Sequence, residues 1–424
     1  MAVRKNLVFV LMLCLALAAT SAWAQKQLTL TTGSPAAKES FMQAIRALES
    51  FDFQNFTPLV QKSVAADSNF AMAHMLIAAT LPPPQRQKHL DKFTALAPKT
   101  SQGEQLYLQG MAHWYKNEDD KALELFKQLR QMLPEDRMVC MMLGNINRRK
   151  GNFADAIAAF EMANKIDASL PRASSFVGDC YLLQEKYDKA RLAYKQVVDK
   201  VDPDATPFGP FFGQIWADLY EGKPDPALKT LKDFMDRYNR NGAAQGFPPV
   251  WIWNHMARIN LEFGRTAEAM RCYEIGYKSV PPSPASAVDS VQKIVWLGRL
   301  HHGRARTLAK MGRHDEAWKI AEQIKKMIDD GGKEGEQYLD AYHYLTGYLL
   351  LEKGDYKSAI EHLQKADQSD AFQKFLLAQA YLKSGDKAQA VKLCNEIVKS
   401  TTNNIERALA YPEAKKIAAM SSSD

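Results

Sequence analysis

The chain has 424 residues, and its 55 lysine and arginine residues against 48 aspartate and glutamate residues give a formal net charge of +7. Basic and acidic residues are interleaved along the sequence, as on solvated helix faces, without the concentrated Lys/Arg runs that follow a phosphate backbone. The composition therefore argues against a nucleic-acid-binding protein.

Residues 1–24 have the three parts of a secretory signal peptide. Arg4 and Lys5 are basic, residues 7–19 form an apolar run, and residues 22–24 (Ala-Trp-Ala) form a small-x-small cleavage site. The alternative is a membrane anchor, but the run is shorter than the roughly 20 residues that a spanning helix needs. We therefore expect a cleaved signal and a mature chain without a membrane span, periplasmic or secreted, in the style of a Gram-negative bacterium.

The first part of the mature chain shows only a weak pattern. We expect residues 25–34 to form a disordered lead and residues 35–100 to form two degenerate helix pairs. Three consecutive prolines at residues 82–84 predict a break between the two helices of the second pair. Irregular ends are expected in a repeat array, because terminal repeats must present a polar outer face.

Residues 103–204 contain the strongest pattern, a period of 34 residues. Alanines keep this step, and so do aromatic residues four places later and glycines twelve places earlier: Ala122, Ala156, Ala190, Phe126, Phe160, Tyr194, Gly110, Gly144 and Gly178. A glycine lets a neighbouring helix approach closely, and the larger residues fill the space around it. Two helices of about a dozen residues cannot bury such a stripe alone, so the pattern predicts three regular helix pairs stacked on one another.

This in-phase pattern of small and aromatic residues resembles the tetratricopeptide repeat (TPR) family. The resemblance implies an all-α fold, a right-handed superhelical α-solenoid of about ten stacked antiparallel helix pairs that covers nearly all of the mature chain. The chain further resembles exported bacterial TPR proteins whose mature part begins with a Ser-Pro-Ala-like lead, a degenerate hairpin and an Asp-Ser-Asn-Phe-Ala-Met-Ala-His turn. That class implies little about mechanism.

The repeat becomes looser after residue 204. Residues 205–249 are interpreted as a degenerate unit and a loop, and residues 250–402 as four repeats with a proline-rich break at 281–290. Long loops in compact arrays are often functional, and plain spacers between diverged repeats are the alternative. Residues 403–424 are expected to form a capping helix and a tail, and Pro412 would kink or shorten that helix.

Four cysteines remain after the signal: Cys140, Cys180, Cys272 and Cys394. An even number in an exported protein suggests disulfide bonds. The repeat phase, however, separates these residues along the array, whereas a disulfide needs Cα atoms within about 7 Å. We therefore expect four unpaired thiols, most of them packed as small apolar residues.

The sequence contains no His-Glu-x-x-His, Gly-x-Ser-x-Gly, P-loop or dinucleotide-binding glycine motif. The adjacent His301 and His302 point about 100° apart on a helix, so they cannot readily share a metal ion. His343 could approach His362 within one hairpin, but we expect no metal there. We therefore predict a protein that is not an enzyme and that has no cofactor; the alternative is an enzyme whose residues are assembled only by the superhelix.

The resemblance implies that the first helix of each pair lines the concave side of the superhelix. Residues there that hairpin packing does not require are rich in aromatics, methionine and arginine, which are enriched among interface anchors. The alternatives are packing between first helices for the aromatics and solvation at helix ends for the arginines. The predicted partner-binding residues are Tyr107, Met111, Trp114, Met141, Asn145, Arg148, Arg149, Arg172, Phe212, Trp216, Trp251, Asn254, Arg258, His302, Arg306, Tyr344 and Tyr348.

These observations favour a scaffold or adaptor of the bacterial cell envelope that binds peptide segments or protein partners in its concave groove. The alternative is a carrier or sensor that binds a small molecule or glycan in an aromatic-lined pocket near residues 208–253. An enclosed pocket would favour the carrier, and an open groove would favour the scaffold.

Overall fold

The computed structural model describes residues 27–81, 83–200, 208–241, 249–279 and 287–420. These residues form helices joined by turns, and none of them lies in a β-strand. The chain divides into two compact units, residues 1–184 (unit 1) and residues 185–424 (unit 2). The predicted signal peptide lies outside the described residues.

Unit 1 is a stack of helices that pack in sequential pairs. They are α1 (Pro35–Glu49), α2 (Phe53–Ala66), α3 (Ala71–Ala78), α4 (Pro83–Leu96), α5 (Gln102–Tyr115), α6 (Asp119–Met132), α7 (Arg137–Arg149), α8 (Phe153–Ile166) and α9 (Arg172–Leu183). Polar caps start the central helices: Ser101 and Glu104 form a capping box at α5, and the Asp136 side chain accepts the Val139 N–H at α7.

Unit 2 repeats the arrangement with longer and less regular helices. They are α10 (Tyr187–Lys200), α11 (Phe208–Tyr220), α12 (Pro224–Asn241), α13 (Pro249–Glu262), α14 (Thr266–Ser279), α15 (Ala287–Lys310), α16 (His314–Asp330), α17 (Leu339–Lys353), α18 (Tyr356–Leu363), α19 (Ala371–Ser384), α20 (Lys387–Lys399) and α21 (Ile405–Ala418). Left-handed glycines such as Gly354 and Gly385 end the helices α17 and α19.

The predicted contact between a glycine on one helix and an aromatic ring on the next recurs in the stack, and we call this contact the packing rule. A Cβ atom at Gly110 would lie 2.6 Å from the Phe126 ring, and one at Gly144 would overlap the Phe160 ring. Both rings are fully buried, so only glycine allows the helices to approach this closely. The all-α stack of helix pairs predicted from the 34-residue period is confirmed.

The third regular repeat differs from the prediction, because the boundary between the units falls inside it. Helix α9 belongs to unit 1, whereas α10 belongs to unit 2. Tyr194 of α10 packs its ring against Gly213 of α11. The packing partner of this aromatic residue therefore associates α10 with the helices that follow it.

The prediction of a disordered lead is wrong for residues 28–31. The Leu28 N–H donates to the Asp136 carboxylate over 2.8 Å, and the Thr31 N–H donates to the Glu104 carboxylate over 2.9 Å. The Ser101 hydroxyl donates to the Thr29 carbonyl over 3.1 Å. This stretch is held in place because it satisfies the polar groups that cap α5 and α7.

Parts of the two breaks predicted in unit 2 are helical. Helix α12 continues to Asn241, and α15 begins at Ala287; residues 242–248 and 280–286 lie outside the described residues. Helix α21 runs through Pro412 to Ala418. Pro412 therefore does not shorten the last helix, which continues for six residues beyond it.

Candidate partner-binding surfaces

The predicted residues on α5 divide between core and surface. Tyr107 is buried with its ring edge-on to Phe126, at a centroid distance of 5.1 Å, and Met111 is buried in the same core. Trp114 is half-buried, and the Arg149 guanidinium lies 3.2 Å from its ring centroid. Two of these three residues are therefore part of the hairpin packing.

The predicted residues on α7 also connect neighbouring hairpins. Met141 is buried in a core that includes Phe160 and α9, and Asn145 is half-buried. Arg149 pairs with Asp119 at the start of α6 and donates to the Trp114 carbonyl over 3.2 Å. This arginine therefore already has carboxylate, carbonyl and aromatic partners inside unit 1.

Arg148 and Arg172 meet at one aromatic ring. Their guanidinium carbons lie 5.5 and 5.3 Å from the centroid of Phe176 on α9. Arg172 also donates to the Leu48 carbonyl over 2.8 Å, at the end of α1, where the helix dipole favours a cation. Burial lowers the pKa of Arg172 to about 10. Arg172 therefore holds the end of α1 in place.

A buried ion pair that sequence reasoning missed lies beside this contact. Arg137, at the start of α7, pairs with Glu49 over 2.5 Å and donates to the carbonyls of Asp167 and Leu170 over 2.9 Å. Burial raises the pKa of Glu49, and the Arg137 guanidinium opposes that shift. The sequence carries no signal for this pair, because its two residues lie 88 positions apart.

In unit 2 the predicted aromatics come together. Phe212 and Trp216 of α11 stack with centroids 5.3 Å apart, and Phe212 lies 6.5 Å from Trp251 of α13. His255, which sequence reasoning missed, lies 5.1 Å from Trp251, and its Nδ1 lies 2.8 Å from the Trp251 carbonyl. Burial lowers the pKa of His255 to about 4. These rings form one cluster in which they cover each other's faces.

A polar cluster continues from α15 to α17. The Arg306 guanidinium donates to the Tyr344 hydroxyl over 2.8 Å and lies 5.5 Å from the centroid of Tyr348. His302 lies 4.6 Å from Tyr344 between ring centroids. Glu262, at the end of α13, accepts from Arg306. Arg306 and Tyr348 are buried, whereas His302 and Tyr344 are half-buried. The first helices of three successive hairpins therefore bring complementary polar groups together, and we call this cluster, with its partly exposed His302 and Tyr344, the inner face of unit 2.

Arg258 and Asn254 lie on α13 of this face. Asn254 is buried, and Arg258 pairs with Glu406 of the last helix over 2.5 Å. Burial acts to raise the pKa of Glu406, but the Arg258 guanidinium holds it below its usual value. A residue 148 positions away therefore already pairs with Arg258, which the sequence predicts to bind a partner.

Sequence models of the tetratricopeptide repeat match the chain over residues 107–171 and 350–410, one match in each unit. The chain is a tetratricopeptide repeat protein. No curated protein matches it. Among solved structures, a tetratricopeptide repeat protein from Parabacteroides merdae is 16% identical, covers 66% of this chain and 98% of its own, and has a TM-score of 0.45. Yeast Tom70 is 12% identical, with 90% and 88% covered and a TM-score of 0.43.

The described residues of this TPR protein offer no metal centre, because they contain no group of three or more His, Cys, Asp and Glu side chains placed to hold an ion. His343 and His362 do approach each other within one hairpin, with 3.1 Å between their Nδ1 atoms. Among the described residues, no helix combines the length and apolarity needed to cross a membrane.

Four cysteines among the described residues are unpaired and buried, as predicted: Cys140, Cys180, Cys272 and Cys394. Burial raises the pKa of Cys180 and Cys394 to about 12 and that of Cys272 to about 11. A thiol with such a pKa carries almost no reactive thiolate at neutral pH. The TPR fold supports protein interaction in general.

Proposed function

We propose that this protein is a non-enzymatic scaffold or adaptor of the bacterial cell envelope that binds peptide segments or protein partners on the inner face of unit 2. The TPR fold supports protein interaction in general. The choice of unit 2 rests on one observation: its predicted anchors contact one another across successive first helices, and His302 and Tyr344 among them are only half-buried.

The chemistry of the inner face fits a polypeptide partner. Half-buried His302 and Tyr344 offer ring surface and hydrogen-bonding groups next to the Arg306 guanidinium. Aromatic and arginine side chains of this kind supply most of the binding energy at protein interfaces. The glycan-binding alternative is less favoured, because Phe212, Trp216 and Trp251 stack on one another and on His255.

The scaffold proposal is tested by quantitative co-purification from envelope extracts. The variant His302→Ala/Tyr344→Ala removes two half-buried rings from the inner face. Its matched control, Tyr277→Ala/His314→Ala, removes the same residue types from the second helices α14 and α16. We expect the inner-face variant to lose specific partners that the control retains. Equal recovery by wild type and both variants would contradict the proposed surface.

The envelope location is supported by the composition of residues 1–24. Cell fractionation and N-terminal sequencing test it directly. We expect the protein in the periplasmic or secreted fraction with a mature terminus at Gln25. A chain that keeps Met1 and fractionates with the cytosol would contradict this part of the proposal and leave the scaffold part standing.

A further inference from the structure

The last described helix contacts first helices of earlier hairpins in unit 2 as well as the preceding hairpin. Arg407 of α21 donates to the carbonyls of Ile397 and Val398 at the end of α20, each over 3.0 Å, as a capping helix would. The same guanidinium donates to the Tyr220 hydroxyl of α11 over 2.7 Å. Helix α21 therefore connects the final hairpin with the first helices of earlier ones.

Helix α21 is enclosed on all sides in its middle. The five consecutive residues Arg407–Tyr411 are all buried, although a helix on a flat surface buries only one stripe, three or four residues in every two turns. Four alanines, at positions 408, 410, 414 and 418, keep the helix narrow. This pattern indicates a helix lying in a groove.

The groove carries opposite charges at its two ends. Arg258 faces Glu406 in the first turn of α21, and Glu185 accepts from Lys415 over 2.5 Å near its end. Tyr411 also donates to Glu185. Lys415 lies nine positions after Glu406, which is about 14 Å along a helix. An acidic residue at the N-terminal end and a basic residue at the C-terminal end also match the helix dipole.

We propose that this groove is a helix-binding site, that α21 is its resident occupant, and that it accepts from a partner protein a helix of matching chemistry. That helix carries an acidic residue in its first turn, a basic residue about nine positions later, and small apolar residues with one tyrosine between them. The inference rests on the proposed scaffold function and names the kind of partner. Binding of such a helix displaces α21, so the C-terminal helix controls access to the site.

The experiment uses the full chain with a protease site inserted between Thr401 and Thr402, in the non-helical segment before α21. A chain with the same site after Asp424 is the control, because cutting it releases nothing. The probe is a labelled synthetic peptide of residues 403–420, followed by fluorescence anisotropy. We expect the cut chain to stay folded and to exchange α21 for the peptide, while the control takes up none.

Charge reversal separates this groove from non-specific binding. We expect the Glu406→Lys peptide to bind the cut chain about tenfold more weakly. On a cut chain carrying Arg258→Glu, the same peptide is expected to regain its affinity. Both effects follow because the ion pair sits at the end of the groove.

Three results would overturn the inference. The first is that circular dichroism shows the cut chain unfolding when α21 leaves. The second is that the peptide does not bind the cut chain. The third is that the wild-type and Glu406→Lys peptides bind all chains with the same affinity. These outcomes are independent of partner recovery from envelope extracts. Peptide exchange can therefore fail while the scaffold proposal holds, and the reverse can also occur.

Discussion

Units 1 and 2 share one packing rule but use their predicted recognition positions differently. In unit 1, Tyr107, Met111 and Met141 are core residues, and Arg149 and Arg172 bind groups of unit 1 itself. In unit 2, residues at the same phase contact one another across successive first helices; Trp216, Arg306 and Tyr348 are buried there, whereas His302 and Tyr344 are half-buried. The difference teaches that repeat phase places a residue on the first helix, whereas its neighbours decide whether it is buried or stays partly exposed.

The largest expected effect concerns the ion pair that closes unit 1. Arg137→Met leaves the Glu49 carboxylate buried without its cation and should cost about 3–5 kcal/mol in unfolding free energy. Urea unfolding, with hydrogen exchange resolved by peptide to assign the loss to unit 1, measures it. Because burial raises the folded-state pKa of Glu49, the folded state takes up a proton more readily, and the deficit should shrink as pH falls.

The control for that prediction is the double variant Arg137→Met/Glu49→Met, which removes both charges and should recover most of the stability. If the single and the double variants are equally unstable, the hydrogen bonds from Arg137 to the carbonyls stabilise unit 1, and the ion pair does not.

The packing rule should be equally strict in both units. Alanine at Gly144 in unit 1, or at Gly303 in unit 2, would press a Cβ into the buried ring of Phe160 or Tyr273. Each substitution should cost about 1–3 kcal/mol by overpacking. Thermal and urea unfolding check this, and Gly298→Ala, where a Cβ meets nothing within 4 Å, is the control. If Gly303→Ala leaves the unfolding free energy unchanged while Gly144→Ala lowers it, unit 2 is packed more loosely than unit 1.

Unit 2 should respond to acid through His255. Burial lowers its folded-state pKa to about 4, against about 6.5 in an unfolded chain. The unfolded state then binds more protons between these values, so stability falls as pH drops below about 6.5 and the loss ends near 4. At pH 5 the loss is about 2 kcal/mol.

Unfolding at pH 7 and pH 5 checks this prediction. His255→Gln should lose correspondingly less stability between the two pH values, while His314→Gln, on the second helix α16, should behave as wild type. Identical pH dependence in all three proteins would mean that another group controls the acid response of unit 2.

The smallest effect is expected for an exposed ion pair on the surface of unit 2. Lys195 and Asp199 form a surface ion pair over 2.5 Å on α10. Replacing Lys195 with alanine should change stability by less than about 0.5 kcal/mol, because water and salt screen exposed charges. A substantially larger loss in urea unfolding would mean that surface charge contributes to unit 2 more than its exposure suggests.

The periodic part of the sequence predicted the fold well, but it did not predict the contacts between distant repeats. Gly110, Gly144 and their aromatic partners are separated by 16 positions, within one hairpin, so local helix geometry brings them together. Arg137 with Glu49, and Arg258 with Glu406, are separated by 88 and 148 positions. No local pattern indicates such pairs, because they depend on how successive hairpins curve.

The sequence by itself determined that this is an all-α TPR protein, since a 34-residue period of small and large apolar residues can be buried only by stacking helix pairs. It also determined which residues lie on the first helices. Only the tertiary structure decided that Tyr107 and Met111 are core residues, that residues 28–31 are held by Asp136 and Glu104, and that α21 contacts α11 and α13. The physical reason is that each of these contacts joins groups from different repeats, and their meeting depends on the accumulated geometry of every hairpin between them.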